Sequence, residues 1–401
     1  MTSSAIPEPT PSAAEAAFMD RALELAVRGA ALASPNPMVG AVLVRDGKII
    51  GEGFHTYDGL RHAEIIALAA AGEAVRGATL YINLEPCSHT GRTGPCSQAL
   101  IVAGVARVVA AMEDPNAKVT GRGFKQMRAA GIDISVGLRE AEARILNEAF
   151  AKWIVSQKPL VTLKSAITLD GQLALPQAKQ SARKGKRISE RDRWISSPES
   201  RAEVQRMRHA SDALLTGIGT VLADDPLLTD RTSLPRRRKL LRVVMDSRLR
   251  LPLRSKLVRS ADGDLLVFTR AKEDSLKARA LRRAGVEVVR LAGRGPRPDL
   301  AEAIAELGRR EILSVLLEAG AKLNSAALAA GIVDKIRVFI APRVAGTKAR
   351  ASSAPFGMTA EINSSQPGQS GTDRFQLEMT RRLKNSSLAR FGPDYAIEGY
   401  L

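Results

Sequence analysis

The feature that most constrains this chain is a histidine–glutamate pair at the start of an apolar-periodic stretch, followed by two cysteines on the loop after the next strand. His62-Ala63-Glu64 opens the periodic stretch, Pro86-Cys87 comes after the following apolar run, and Ser88 through Pro95 separate Cys87 from Cys96. A neutral imidazole and two thiolates balance the charge of Zn²⁺ and leave one tetrahedral position open, whereas a structural site would want a fourth protein ligand. In an open position a bound water ionises near pH ~7. Glu64 would then move the proton of that water. Residues two apart do not share a face of a regular helix, so His62 and Glu64 meet at one point only if the helix begins there. Any fold that satisfies the pattern must therefore bring a helix N-terminus and a post-strand loop together.

The residues on either side fit that demand. Apolar residues recur at helical spacing over 13–32, and apolar runs at 39–44 and 49–54 flank Asp46-Gly47, a two-residue hairpin signal. From His62 onward the pattern predicts a helix to about Ala71, strands over 79–84, 107–111 and 132–136, helices over 97–103 and 123–130, and one continuous helix over 140–155. Helices alternating with strands argue for an α/β sheet covered on both faces. Lys158-Pro159 then begins a second strand-rich pattern over 160–165, 213–216, 242–245, 265–268, 286–290, 314–318 and 335–341. A length of 401 residues exceeds one ordinary core. The reading is a disordered tail over 1–14, a first domain over 15–157 and a second over 158–401. The basic stretch 177–187 and the polar stretch 363–373 read as loops.

No apolar run approaches the ~20 residues that span a bilayer, and the start of the chain lacks the basic and apolar segments of a secretion signal. Two cysteines are too few for a disulfide framework. A soluble, cytoplasmic protein is expected. The net charge of +18 admits a nucleic-acid partner, but aromatic residues make up only 4% of the chain and leave few stacking surfaces for unpaired bases. A phosphorylated small molecule suits the same charge, so neither nucleic acid nor membrane is the expected partner.

The residue types also have plainer readings. A lone His is usually packing, two cysteines are often small buried hydrophobes, and a Glu in a first turn can simply face the helix dipole. His89, between the cysteines, could close a four-ligand structural site. The conjunction of ligands, adjacent Glu and Pro before the first Cys agrees instead with the zinc-deaminase signature, with one zinc per chain. A nucleic-acid-editing zinc deaminase with an accessory RNA-binding half is the alternative, and a zinc-stabilised binding protein is a third.

Pro35-Asn36-Pro37-Met38-Val39-Gly40, the 51–55 stretch, His62-Ala63-Glu64, and Glu85-Pro86-Cys87-Ser88-His89 through Cys96 occur in dense order. With them the chain resembles the bifunctional riboflavin-biosynthesis family, a diaminohydroxyphosphoribosylaminopyrimidine deaminase joined to a 5-amino-6-(5-phosphoribosylamino)uracil reductase. The long loop between the cysteines separates it from the short-loop deaminases. The resemblance implies a cytidine-deaminase-like three-layer domain in which His62, Cys87 and Cys96 bind zinc, Glu64 shuttles protons, and Asn36 and His55 lie near the substrate. Read alone, Asn36 could equally fix a turn between two prolines, and His55 could end a strand. Gly94 stands where the family often has Pro.

Over 159–385 the resemblance rests on scattered motifs: Leu163-Lys164, 168–171, 194–198, 220–226, Asp246-Ser247 and Glu318-Ala319-Gly320. It implies an NADPH-dependent reductase with a dihydrofolate-reductase-like fold. The positions matching cofactor contacts are Ala166, Trp194, Thr220, Asp224, Ser247, Gly320, Ala321, Lys322, Leu323, Asn324, Ser325 and Ala326. Those matching substrate contacts are Arg208, Leu228, Arg231 and Glu318, the two guanidinium forks suiting a ribose phosphate. Asp192 stands where Ser is common, and the basic insertion before Trp194 departs from the family. The implied chemistry is deamination of 2,5-diamino-6-(5-phosphoribosylamino)pyrimidin-4-one, then reduction of its ribosyl group to ribityl by NADPH, in a homo-oligomer. Lys164 and Asp224 are candidate proton sources for the reduction.

Overall fold

The computed structural model describes residues 12–90, 94–117, 119–173, 194–292, 295–345 and 382–401. The stretches 177–187 and 363–373, and Asp192, lie outside them. The chain divides into two compact units, one of residues 1–158 with 234–238 and 311–313, the other of residues 159–233, 239–310 and 314–401.

In the first unit, α1 (Ala13–Val27) starts inside the stretch read as a tail, because Ser12 and Glu15 form a reciprocal capping box. The hairpin β1 (Gly40–Arg45) and β2 (Lys48–Phe54) turns at Asp46 and Gly47, both with positive φ. Then come α2 (Ala63–Ala71), β3 (Thr79–Ile82), α3 (Cys96–Ala103), β4 (Arg107–Ala110), α4 (Arg122–Ala129) and β5 (Asp133–Val136). The sheet order is β2-β1-β3-β4-β5. β1 runs antiparallel to both its neighbours, and β3, β4 and β5 are parallel.

Alternation along the strands makes the three layers. Ala41, Leu43, Leu80, Ile82, Val108 and Ala110 pack with residues of α2, α3 and α4 on one face. Val42, Val44, Tyr81 and Val109 pack with Met19, Ala22 and Leu25 of α1 on the other. The helix expected over 140–155 is instead two, α5 (Glu140–Leu146) and α6 (Glu148–Ser156), broken at Asn147 with φ −105° and ψ 18°. The side chain of Asn147 is drawn inward onto the backbone of Met38, and that tertiary bond outweighs helical continuity.

The second unit holds β6 (Leu160–Thr168), α7 (Pro198–Ala210), β7 (Ala213–Gly217), α8 (Ile218–Asp224), β8 (Leu241–Met245), α9 (Lys256–Arg259), β9 (Leu265–Thr269), α10 (Leu276–Arg283), β10 (Glu287–Arg290), α11 (Leu300–Arg309), β11 (Ser314–Leu317), α12 (Ala321–Ala329) and β12 (Lys335–Ala341). The hairpin β13 (Lys384–Phe391) and β14 (Asp394–Tyr400) completes it; the sequence pattern did not predict these strands. The order of the sheet is β10-β9-β8-β7-β11-β6-β12-β14-β13. From β10 to β12 the strands are parallel, and β14 and β13 add antiparallel. β8 and β9 are almost entirely buried, as parallel strands covered on both faces are. Among the described residues no helix is long and apolar enough to cross a membrane.

Candidate functional sites

In the first unit, α2 is seated directly on β2. A Cβ on Gly53 would lie 2.3 Å from the Ala63 carbonyl oxygen, and one on Gly51 at the same distance from that of Ala67. Only glycine permits that approach, which fixes where the helix begins. His62 is the N-cap residue, in extended conformation, and Glu64 lies in the first turn, so the two side chains reach one region as the spacing demanded.

The ligand atoms of His62, Cys87 and Cys96 all lie within 4.8 Å of one another. His62 Nδ1 is 3.2 Å from Cys96 Sγ and 3.6 Å from Cys87 Sγ, and the Cys96 N–H donates to Cys87 Sγ at 3.4 Å. Tetrahedral zinc with bonds of about 2.0 Å to nitrogen and 2.3 Å to sulfur holds N and S about 3.5 Å apart, so the three residues fit that ion. His89 is exposed and outside this group, which removes the closed four-ligand reading.

The charges are set by the same proximity. The bond with Cys96, reinforced by His62, lowers Cys87 to about 4. Cys96 is held far up by sharing its proton with Cys87, and His62 is raised by the Cys87 thiolate. The opposed shifts favour thiolate at Cys87, and thiolate is the form in which both cysteines would hold a divalent cation. Glu64 is 3% exposed, and burial pushes its carboxyl up to about 6 against the pull of His62. A carboxyl poised there can both take and return a proton near neutral pH.

Asn36 and His55 join this cluster. The Asn36 Nδ2 atom is 3.0 Å from His55 Nε2, and His55 Nδ1 is 3.0 Å from the Arg61 carbonyl oxygen. A carbonyl only accepts, so Nδ1 carries the proton and Nε2 accepts from the Asn36 amide. The His55 ring lies edge-on to that of His62, centroids 5.3 Å apart.

The sequence pattern gave no role to Glu85 or Asp114. The buried Glu85 carboxylate accepts from the backbone N–H groups of Asp114, Gly121, Gly123 and Phe124, tying the residues before Cys87 to the start of α4. A Cβ on Gly123 would lie 2.1 Å from the Pro86 carbonyl oxygen. Asp114 is raised to about 6, first by burial and then by Glu85 and Cys87. Glu85 was visible as part of the cysteine motif; no local pattern marks Asp114.

In the second unit, Arg208 grips Glu318 through Nε at 2.7 Å and Nη2 at 3.1 Å, and donates through Nη1 to the Thr229 carbonyl at 3.1 Å. Lys164 Nζ lies 3.7 Å from Glu318. Burial lowers the Lys164 ammonium. Burial would raise Glu318, but Arg208 and Lys164 outweigh it and hold the carboxyl low. The loop after α8 is pinned by Asp230, whose carboxylate meets His209 Nδ1 at 2.9 Å and accepts from Thr232. Arg231 is exposed beside it, whereas the Leu228 side chain is buried in the core.

Several of the cofactor-matching positions lie where a strand runs into a helix. β7 and β11 are parallel neighbours. β7 runs through Gly217 into α8 with Thr220, and β11 through Gly320 into α12. Gly217 faces Leu323, a Cβ there lying 3.4 Å from its side chain. Ala321 and Asn324 are buried, Lys322 is exposed, and Ser325 and Ala326 are half-buried. Both polar atoms of the Asn324 side chain are buried without a hydrogen-bond partner among the described residues. Paired helix starts beside an unsatisfied amide suit a phosphorylated cofactor. Ala166 lies on β6, Ser247 follows β8, and Asp224 is exposed at the end of α8. Trp194 is also exposed, the Arg201 guanidinium 5.2 Å from its ring centroid.

Residues 12–112 match the cytidine and deoxycytidylate deaminase zinc-binding region, and residues 159–395 match the RibD C-terminal domain. Riboflavin biosynthesis protein RibD of Escherichia coli is 43% identical over 347 residues, 83% of this chain and 89% of that protein. Its counterpart in Aquifex aeolicus is 40% identical over 329 residues, 82% of this chain and 87% of its own. The structure of Acinetobacter baumannii RibD superposes with a TM-score of 0.76 at 33% identity, covering 96% of this chain and 98% of that one. A diaminohydroxyphosphoribosylaminopyrimidine deaminase/5-amino-6-(5-phosphoribosylamino)uracil reductase from Thermotoga maritima gives the same TM-score and coverage at 32% identity.

Proposed function

The chain belongs to the RibD family of riboflavin-biosynthesis proteins, and from that membership we propose which residues perform each of its two reactions. It is a bifunctional enzyme with a zinc-binding, cytidine-deaminase-like domain and a reductase domain of dihydrofolate-reductase-like fold. The nucleic-acid-editing alternative is not favoured. The first substrate is 2,5-diamino-6-(5-phosphoribosylamino)pyrimidin-4-one, which loses its 2-amino group as ammonia. The ribosyl group of the product is then reduced to ribityl.

His62, Cys87 and Cys96 hold one zinc per chain, which when bound supplies the Lewis acidity that lets water attack at neutral pH. Glu64 takes a proton from that water and delivers it to the departing amine. The observation that carries this reading is a carboxyl 3% exposed, raised to about 6, in the turn that begins at a metal-ligand histidine. Asn36, held by the neutral His55, offers its amide to the pyrimidine.

NADPH, when bound, supplies hydride to the second reaction. Gly320 and residues 321–326, with Ala166, Trp194, Thr220, Asp224 and Ser247, are the proposed cofactor contacts. Arg208, Arg231, Glu318 and the main chain of Leu228 are proposed to bind the phosphorylated substrate. Lys164 is proposed to protonate the opening ring oxygen; its buried ammonium, lowered by burial, supports the role. Asp224, exposed at its helix end, has less support.

A homo-oligomer is part of the same proposal, supported by Leu388, Tyr395 and Ile397, which leave apolar surface exposed on the outer strands β13 and β14. So is a cytoplasmic location. Incubating the purified protein with the diaminopyrimidine tests the sequence of reactions. Ammonia should be released without NADPH, and the ribityl product should form only once NADPH is added; ribityl product formed without ammonia release would refute the order.

A further inference from the structure

We propose that Asn83 and Asn147 are positioning residues for deamination, two buried amides that hold the backbone of Met38 to Gly40 and thereby set Asn36 against His55. β1 begins at Gly40, and its ladder to β3 begins one residue later, at Ala41. The chain just before it has no strand on the β3 side to satisfy its peptide groups, and buried backbone groups left unpaired are costly. The two asparagines take the place of that strand. Asn147 Oδ1 accepts from the Met38 N–H at 2.8 Å, and Asn147 Nδ2 donates to the Met38 carbonyl at 2.9 Å. Asn83 Nδ2 donates to the same carbonyl at 2.9 Å, and Asn83 Oδ1 accepts from the Gly40 N–H at 2.8 Å. Asn147 thus pairs with Met38 in both directions, as a hydrogen-bonded residue of a neighbouring strand would.

A merely structural role would suit any loop. What singles this one out is what it carries. Pro37 separates Met38 from Asn36, and the His55 N–H donates to the Val39 carbonyl at 2.9 Å, between the two clamped residues. Both members of the Asn36–His55 pair therefore hang on the same short segment. Asn83 is 0% and Asn147 2% exposed, so water cannot replace either amide. Asn147 also stands at the N-cap of α6, where Asn commonly caps, yet its side chain makes no capping bond and is spent on Met38 instead.

The inference rests on the reading that Asn36 contacts the pyrimidine. The test uses the full-length, zinc-loaded protein. Asn147→Leu should raise KM for the diaminopyrimidine roughly tenfold while kcat holds within about twofold, as expected for lost positioning bonds rather than lost chemistry. Zinc content and reduction of the deaminated substrate should not change. In an Asn36→Ala background the same replacement should add almost nothing to KM, because both act through one amide. Should Asn147→Leu fail to fold, Asn147→Ser, which cannot span both Met38 groups, should give a smaller rise of about threefold. An unchanged KM in the folded variants, or losses that add to those of Asn36→Ala, would overturn the clamp. A silent Asn36→Ala would instead bring down the reading beneath it, and the clamp with it.

Discussion

The two units solve the problem of a reactive site in different ways. In the first, a handful of uncommon side chains meet at a single helix start: His62 caps α2, Glu64 follows in the first turn, and Cys87 on the loop after β3 and Cys96 at the start of α3 close in. In the second, ordinary residues are collected from β6, α7, the residue that follows β11 and the loop after α8. The first site keeps one carboxyl nearly alone in a buried place, which raises it toward neutrality. The second buries a carboxylate between two cations, which holds that carboxyl low. A compact site concentrates its chemistry in a few ligands, and a dispersed one depends on electrostatic balance among distant parts of the chain.

That contrast is sharpened first by removing a ligand. Cys87→Ser or Cys96→Ser should strip zinc and reduce ammonia release more than about a hundredfold, since even residues that only support metal ligands cost 10–100-fold. Reduction of the deaminated substrate should persist, as metal analysis and the two assays would show. Deamination by metal-free protein would break the zinc account.

Next in size is the balance of the second site. Glu318→Gln leaves Arg208 and Lys164 buried without a counter-charge, which should destabilise the second unit by about 3 kcal/mol and suppress NADPH oxidation. Denaturant unfolding measures the first effect. A loss under about 1 kcal/mol would mean that the exposed pair value, not the buried one, governs this cluster.

The mildest change concerns Gly320. A Cβ there meets nothing within 4 Å, and its φ of −81° suits any residue. Gly320→Leu should therefore leave the fold intact and weaken NADPH roughly tenfold, about 1.4 kcal/mol, by filling only the space a cofactor would use. Unchanged cofactor affinity would move the proposed cofactor site away from this helix start.

Legibility in the sequence follows the same divide. The metal cluster could be read directly, because thiolates and an imidazole beside a glutamate have few other reasons to occur together. The covering of the first sheet on both faces followed from the alternation of helices and strands, and Val42 and Leu43 accordingly face opposite cores. The break at Asn147 could not be read, because its cause is a bond to Met38 across 109 positions of chain. The β13–β14 hairpin was missed for a related reason. β13 is exposed along most of its length and carries no apolar periodicity, so only its pairing with β14 makes it a strand. Likewise the proposed substrate and cofactor positions of the second unit were marked by family resemblance alone, and no spacing rule brings Arg208 to Glu318.

The central claim is that the two reactions belong to separate residues, and Glu64→Gln tests it most directly. The substitution keeps the size of the side chain and removes the group that moves protons. With zinc retained, the variant should lose ammonia release by a factor of about 10²–10⁴, yet oxidise NADPH at the unaltered rate when the deaminated ribosylaminouracil is supplied. A folded, zinc-bound variant that lost both reactions would contradict the account.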